Sequence, residues 1–217
     1  MVIIAFGDIH MRTDQAERIP GIGEADCVVV TGDLTMGGGR VEASSILHHL
    51  THLCPRVYAQ IGNMDTKEVD ALFTDMGINL NGKGVMLGDM GIFGLGGSKI
   101  TRFGAPSEFS EAQLEQTLWR GYESVKDARF KVLFSHMPPV NTLVDEARRG
   151  DHAGSTSVRR FLEDTDCHVC ICGHIHEAIG TDTVGSALVI NPGTLYRGGY
   201  VRIECDGNTI KAHLERC

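Results

Sequence analysis

Five short runs of Val, Ile, Phe and Cys are spaced along the chain, and each ends at a small or polar residue followed by a side chain that carries oxygen or nitrogen. The runs are VIIAF at 2–6, CVVVT at 27–31, VYAQI at 57–61, FKVLF at 130–134 and HVCIC at 168–172. They are too short for helices and apolar on both faces, as strands buried on both sides must be. Helical patterns fall between them, around 41–53, 66–76, 110–124 and 155–164. This alternation predicts an α/β chain whose largely parallel sheet is covered by helices. Glycine makes up 27 of the 217 residues and collects where apolar runs stop, which predicts tight strand-to-loop turns. The glycine-rich tracts 84–97 and 185–213 read as short strands and hairpins of a second sheet. With no linker, repeat or low-complexity segment, 1–217 is expected to form a single domain.

The residues just past the five runs are more informative than the runs themselves: Gly7-Asp8-Ile9-His10, Gly32-Asp33, Gly62-Asn63, Ser135-His136 and Gly173-His174-Ile175-His176. In an open α/β sheet the loops at the carboxyl ends of strands line one crevice, so donors far apart in sequence converge there. Each motif alone has a plainer reading. An Asp after a strand often caps the next helix, and His136, before Met137-Pro138-Pro139, fits a loop. His174 and His176, two apart on an extended segment, point the same way. Five strand ends all carrying O or N donors are hard to obtain from core packing, and they point to a metal site. Other candidates take the plainer reading. His48, His49 and His52 lie on a solvated helix face, Cys167, Cys170 and Cys172 are small buried hydrophobes, and His168 and His213 have no role. His152, in GDHAGS, stands open between loop residue and site rim.

Charge narrows the partners. Twenty basic against 28 acidic residues give a net charge of -8, and no stretch has the basic density that long nucleic acid requires. No window approaches 18 uncharged apolar residues, so no membrane partner is expected. The first residues lack a basic start and a cleavage site. Seven cysteines, an odd number scattered along the chain, indicate a reducing compartment, read as the cytoplasm. The oligomeric state is left open.

The ordered motifs D-x-H, G-D, G-N-x-D, a strand-end His and G-H-x-H, between 8 and 176, resemble the calcineurin-like metallophosphoesterase family. GLGGSKITRFGAPSEFS, SHMPP, GDHAGS and NPGTLYRGGY are similar to its small stand-alone prokaryotic members. The resemblance implies a four-layer α-β-β-α sandwich with two mixed β-sheets and two divalent ions as cofactors. One ion would be held by Asp8, His10 and His176, the other by Asn63, His136 and His174, with Asp33 bridging. Such donors suit Mn, Fe or Zn without choosing among them. The implied reaction is hydrolysis of a small phosphoester by in-line attack of a hydroxide held between the ions.

The family pattern places a proton-donating histidine where this chain has Met64, and a thioether has no proton to give. The expectation is a phosphodiesterase with weak activity on monoesters. Asp65 is expected to order its loop and Asn191 to support a ligand, while Arg102, His152 and Arg197 are candidates for substrate contact. The alternative is a non-catalytic scaffold, since the family includes a retromer subunit that uses the fold for protein interaction. Such proteins tend to lose metal ligands, and all seven remain here. A nuclease acting on long DNA is disfavoured by the charge.

Overall fold

A computed structural model describes residues 1–148 and 150–217. Its strands are β1 (Val2–Phe6), β2 (Cys27–Val30), β3 (Val57–Ala59), β4 (Gly84–Leu87), β5 (Met90–Leu95), β6 (Ser98–Lys99), β7 (Glu108–Phe109), β8 (Phe130–Ser135), β9 (Val169–Ile171), β10 (Gly180–Val184), β11 (Ala187–Asn191), β12 (Gly199–Cys205) and β13 (Ile210–Arg216). The α-helices are α1 (Arg40–Leu53), α2 (Lys67–Asp75), α3 (Glu111–Glu123) and α4 (Thr156–Asp164).

Two large mixed sheets form, one in the order β13-β12-β1-β2-β3 and the other β10-β11-β9-β8-β5-β4. The parallel strands divide between them: β1, β2 and β3 pair in the first, and β5, β8, β9 and β11 in the second. The sequence pattern alone predicts all five runs in one parallel sheet and the glycine-rich tracts in another. The structure corrects this, since the hairpin β12-β13 completes the first sheet while β4 and the hairpin β10-β11 edge the second. The physical reason is that every run is buried on both faces, so its pattern carries no mark of which sheet it joins.

Burial on both faces produces three apolar layers. Ile4, Phe6, Val28 and Val30 turn toward α1 and α2, where they meet Leu47, Leu50 and Phe73. Their neighbours Ile3, Ala5, Cys27 and Val29 face the other way and pack on Ile92, Val132, Phe134 and Ile171 of the second sheet. Leu133, Phe93 and Cys170 point outward from that sheet against Leu118 of α3 and Phe161 of α4. The layers therefore run helix, sheet, sheet, helix. Each fully buried Val, Leu, Ile or Phe among them contributes about 1.5–3 kcal/mol, which is what holds the strand ends in place.

Helices α3 and α4 are locked together at their N-termini. Ser110 caps α3 by accepting from Gln113 N–H at 3.3 Å, and Gln113 Oε1 accepts from Ser110 N–H at 2.9 Å. The Glu111 carboxylate accepts from the Ser155 hydroxyl at 2.6 Å and from Ser157 N–H at 3.0 Å, capping α4 from a neighbouring helix. Burial alone would raise the Glu111 carboxyl, but these hydrogen bonds outweigh it and hold it below the ordinary 4.5. A depressed carboxylate stabilises the fold above the unfolded value and loses that contribution as pH falls through the folded one. Glu111→Gln is therefore expected to lower stability by about 1 kcal/mol at neutral pH, discounted for its half-exposed position. The gap between wild-type and variant urea midpoints should close as pH drops below 4.5.

Candidate metal centre

The five runs deliver their donors to one place because β1, β2 and β3 are parallel in one sheet, β8 and β9 in the other, and both sets end on the same side. Cross-links between the loops show the convergence. Asp8 N–H donates to the Gly32 carbonyl at 3.0 Å, His10 N–H to the Asp33 carbonyl at 2.9 Å, and Gly173 N–H to the His136 carbonyl at 3.1 Å. Ligand atoms of Asp8, His10 and His176 all lie within 4.8 Å of one another, as do those of Asp8, Asp33 and His136. His136 Nε2 is 3.0 Å from Asn63 Oδ1, and the His136 and His174 ring centroids are 5.1 Å apart. All seven predicted donors are thus brought together.

Close approach has been made at the expense of the backbone. Among the described residues six other than glycine have positive φ, and four are donors: Asp8 (49°), His10 (47°), Asp33 (50°) and His174 (66°). Such conformations cost roughly 1–3 kcal/mol each and gather at functional sites. Two glycines make room. A Cβ on Gly62 would overlap the Asp33 carboxylate, and one on Gly173 would overlap that of Asp8.

Surrounding groups fix orientation. His136 Nδ1–H donates to the Thr31 carbonyl at 3.1 Å, selecting the tautomer with Nε2 free. Met64 N–H donates to Asp33 Oδ1 at 2.8 Å. Asp65 is wholly buried, and its carboxylate accepts from the N–H groups of Leu34, Thr35 and Gly62 at 3.1, 2.7 and 2.9 Å and from the Thr35 hydroxyl at 2.8 Å. It thereby ties the Asp33 loop to the Asn63 loop. Truncation would strand several buried donors at about 1–3 kcal/mol each. Asp65→Ala is expected to cost about 3 kcal/mol or more, read as a fall in Tm. Asn191 is likewise buried, and its amide donates to the Ile175 carbonyl at 2.9 Å, pinning the turn between His174 and His176.

Electrostatics at the site call for cations. Burial pushes the Asp33 carboxyl up to about 7, with Asp8 and Asp65 adding to the rise. Burial acts the same way on Asp8, yet the hydrogen bond from His176 and the nearby imidazoles bring it below its ordinary value. Burial drives His10 down, and it drives His174 down to about 3 with help from His136, His176 and, most weakly, Lys99. These histidines are therefore neutral, the form that binds metal. His10 Nε2 lies 3.2 Å from His176 Nε2, which is itself 3.1 Å from Asp8 Oδ1. One proton cannot satisfy all three atoms, whereas a shared cation can. The residues present fit divalent ions.

Residues 1–178 match the profile of the calcineurin-like phosphoesterase family. The chain belongs to that family. A protein of Methanocaldococcus jannaschii known as MJ1162, itself uncharacterised, is 34% identical over 196 residues, covering 88% of each chain. Among solved structures of similar fold, TT1561 of Thermus thermophilus is 15% identical with a TM-score of 0.70 over 98% of this chain and 97% of that one. A dimetal phosphatase from Danio rerio is 14% identical with a TM-score of 0.69, covering 100% and 96%.

In this calcineurin-like phosphoesterase Arg102, His152 and Arg197 make, among the described residues, no hydrogen bond or ion pair with the seven donors. Arg102 is exposed with its guanidinium 5.1 Å from the Phe103 ring centroid, and Arg197, also exposed, lies 5.8 Å from that of Tyr196. His152 Nδ1 is 2.7 Å from the buried Asp145 carboxylate, which leaves Nε2 free. Lys99, absent from the sequence-based candidates, reaches from β6 to the Gly154 carbonyl at 2.7 Å. A single lysine in a glycine-rich tract has no spacing that would mark it.

Proposed function

We propose that this phosphoesterase hydrolyses small phosphodiesters at a centre of two divalent ions, Mn, Fe or Zn, and acts weakly on monoesters. The observation that carries the reading is the gathering of seven oxygen and nitrogen donors, four of them on strained backbone, around the buried carboxylates of Asp8 and Asp33. The description of the Danio rerio protein as a dimetal phosphatase supports the two-ion part of the reading. Asp8, His10 and His176 would hold one ion and Asn63, His136 and His174 the other, with Asp33 between them. Bound there, the ions would supply Lewis-acid stabilisation of the phosphoryl oxygens and a water of lowered pKa.

The chain's own residues do the positioning. The Thr31 carbonyl and the Met64 amide orient His136 and Asp33 before anything binds, and Asp65 and Asn191 keep the loops from relaxing. With the ions bound, two carboxylates against about four positive charges would leave an electropositive pocket in an acidic protein, suited to a phosphate anion. Met64 offers no proton to a departing alcohol, so esters whose leaving group is stable as an anion are favoured. The preference for diesters rests on the resemblance to family members with another residue at the histidine position, which often favour diesters. Seven free cysteines accord with a reducing compartment, here the cytoplasm.

The test is metal content measured together with turnover. Protein loaded with Mn²⁺ should bind two ions per chain and cleave bis-p-nitrophenyl phosphate. Full loading with no turnover on any ester would favour the scaffold reading instead.

A further inference from the structure

We propose that Lys99 is a substrate-binding residue whose ammonium takes a non-bridging oxygen of the phosphoryl group over the Asn63, His136 and His174 half of the centre. The inference rests on the phosphoesterase reading and adds a contact to it.

The position of Lys99 is set from two sides. Its strand β6 is fastened to the Asn63 loop, since Gly97 N–H donates to the Ile61 carbonyl at 2.9 Å, Ser98 N–H to the Ser107 carbonyl at 3.1 Å and Ser107 N–H to the Asn63 carbonyl at 3.0 Å. Its side chain then reaches the opposite wall, where Nζ donates to the Gly154 carbonyl at 2.7 Å. Gly154 packs on Pro138 and Pro139, immediately beyond His136, and Ser155 N–H donates to the Pro138 carbonyl at 2.8 Å. Lys99 therefore spans from the Asn63 wall to the His136 wall.

Its charge has no counter-ion. The ammonium meets one carbonyl, and among the described residues no carboxylate pairs with it. Lys131, the other lysine held away from solvent, shows the contrast: its ammonium sits 2.9 Å from Asp166 and also donates to the Ala128 carbonyl. A half-buried lysine without an acid partner is unusual, because removing its charge from water needs compensation. An ammonium has three donors, and Gly154 uses one. The other two are suited to a phosphoryl oxygen. A charge-assisted hydrogen bond of this kind carries about 10–100-fold in affinity.

Lys99→Gln tests this role because the glutamine amide keeps a hydrogen-bond donor directed toward Gly154, one bond shorter, while the charge is gone. Calorimetric titration of inorganic phosphate into Mn²⁺-loaded protein is the readout, with metal content measured on each sample. Lys211→Gln, on β13 at the far end of the first sheet, is the control for overall charge. The expected result is full Mn²⁺ loading in all three proteins and phosphate binding weakened about tenfold or more in Lys99→Gln alone. Equal phosphate affinity in Lys99→Gln and Lys211→Gln would overturn the proposal. Wild type that takes up Mn²⁺ but binds no phosphate would overturn it too, and wild type that takes up no Mn²⁺ would bring down the metal reading beneath it.

Discussion

Asp33→Asn is expected to lower diester hydrolysis by about 10³-fold or more and to reduce the bound metal below two ions per chain. The estimate takes several kcal/mol of charge stabilisation from the ions, at about 1.4 kcal/mol for each tenfold. Asp33 is the donor shared by both halves, 3.6 Å from His136 Nε2 and 3.8 Å from His10 Nε2. Amide and carboxylate have nearly the same shape, so the loop survives. In metal-free protein the variant should even be the more stable under mildly alkaline conditions. Burial raises the Asp33 carboxyl from 3.8 to about 7, and a raised acid stabilises the fold fully below its unfolded value, losing that contribution as pH rises through the folded one. Metal-free wild type should thus lose stability between about pH 4 and 7 more steeply than Asp33→Asn, as thermal melts in chelator would show. Equal loss in both proteins would mean that Asp33 stays ionised without metal, contrary to the charge argument.

Met64→His is expected to gain about 10²-fold on a simple alkyl phosphomonoester, the lower end of what a positioned proton donor supplies. The change on bis-p-nitrophenyl phosphate should be far smaller, because p-nitrophenolate departs without a proton. The substitution is mild for the fold. What Met64 contributes to the site is backbone, with its N–H on Asp33 and its carbonyl accepting from Gly37 N–H at 2.8 Å, and any residue supplies both. Wild type that cleaves the alkyl monoester as fast as the variant would show that Met64 does not limit the proton step.

The centre is legible in the sequence because each of its motifs is local. A strand end, a glycine and a donor within four residues, as in Gly173-His174-Ile175-His176, need no knowledge of distant packing once parallel strands are assumed. The partition of strands between sheets is not legible, since VIIAF and FKVLF are both apolar on both faces yet lie in different sheets. Asp65 shows a half-legible case: its place after Met64 suggests loop ordering, but only the fold brings the Thr35 and Gly62 donors to it. Glu111 and Lys99 illustrate the rest. Their partners Ser155 and Gly154 lie 44 and 55 positions away, and nothing local in sequence announces either contact.

Anomalous diffraction from crystals grown with Mn²⁺ tests the central claim most directly. Two peaks are expected, one touching Asp8, His10 and His176, the other Asn63, His136 and His174, with Asp33 within coordinating distance of both. A map with a single peak, or with manganese only on surface carboxylates away from these seven residues, would contradict the account.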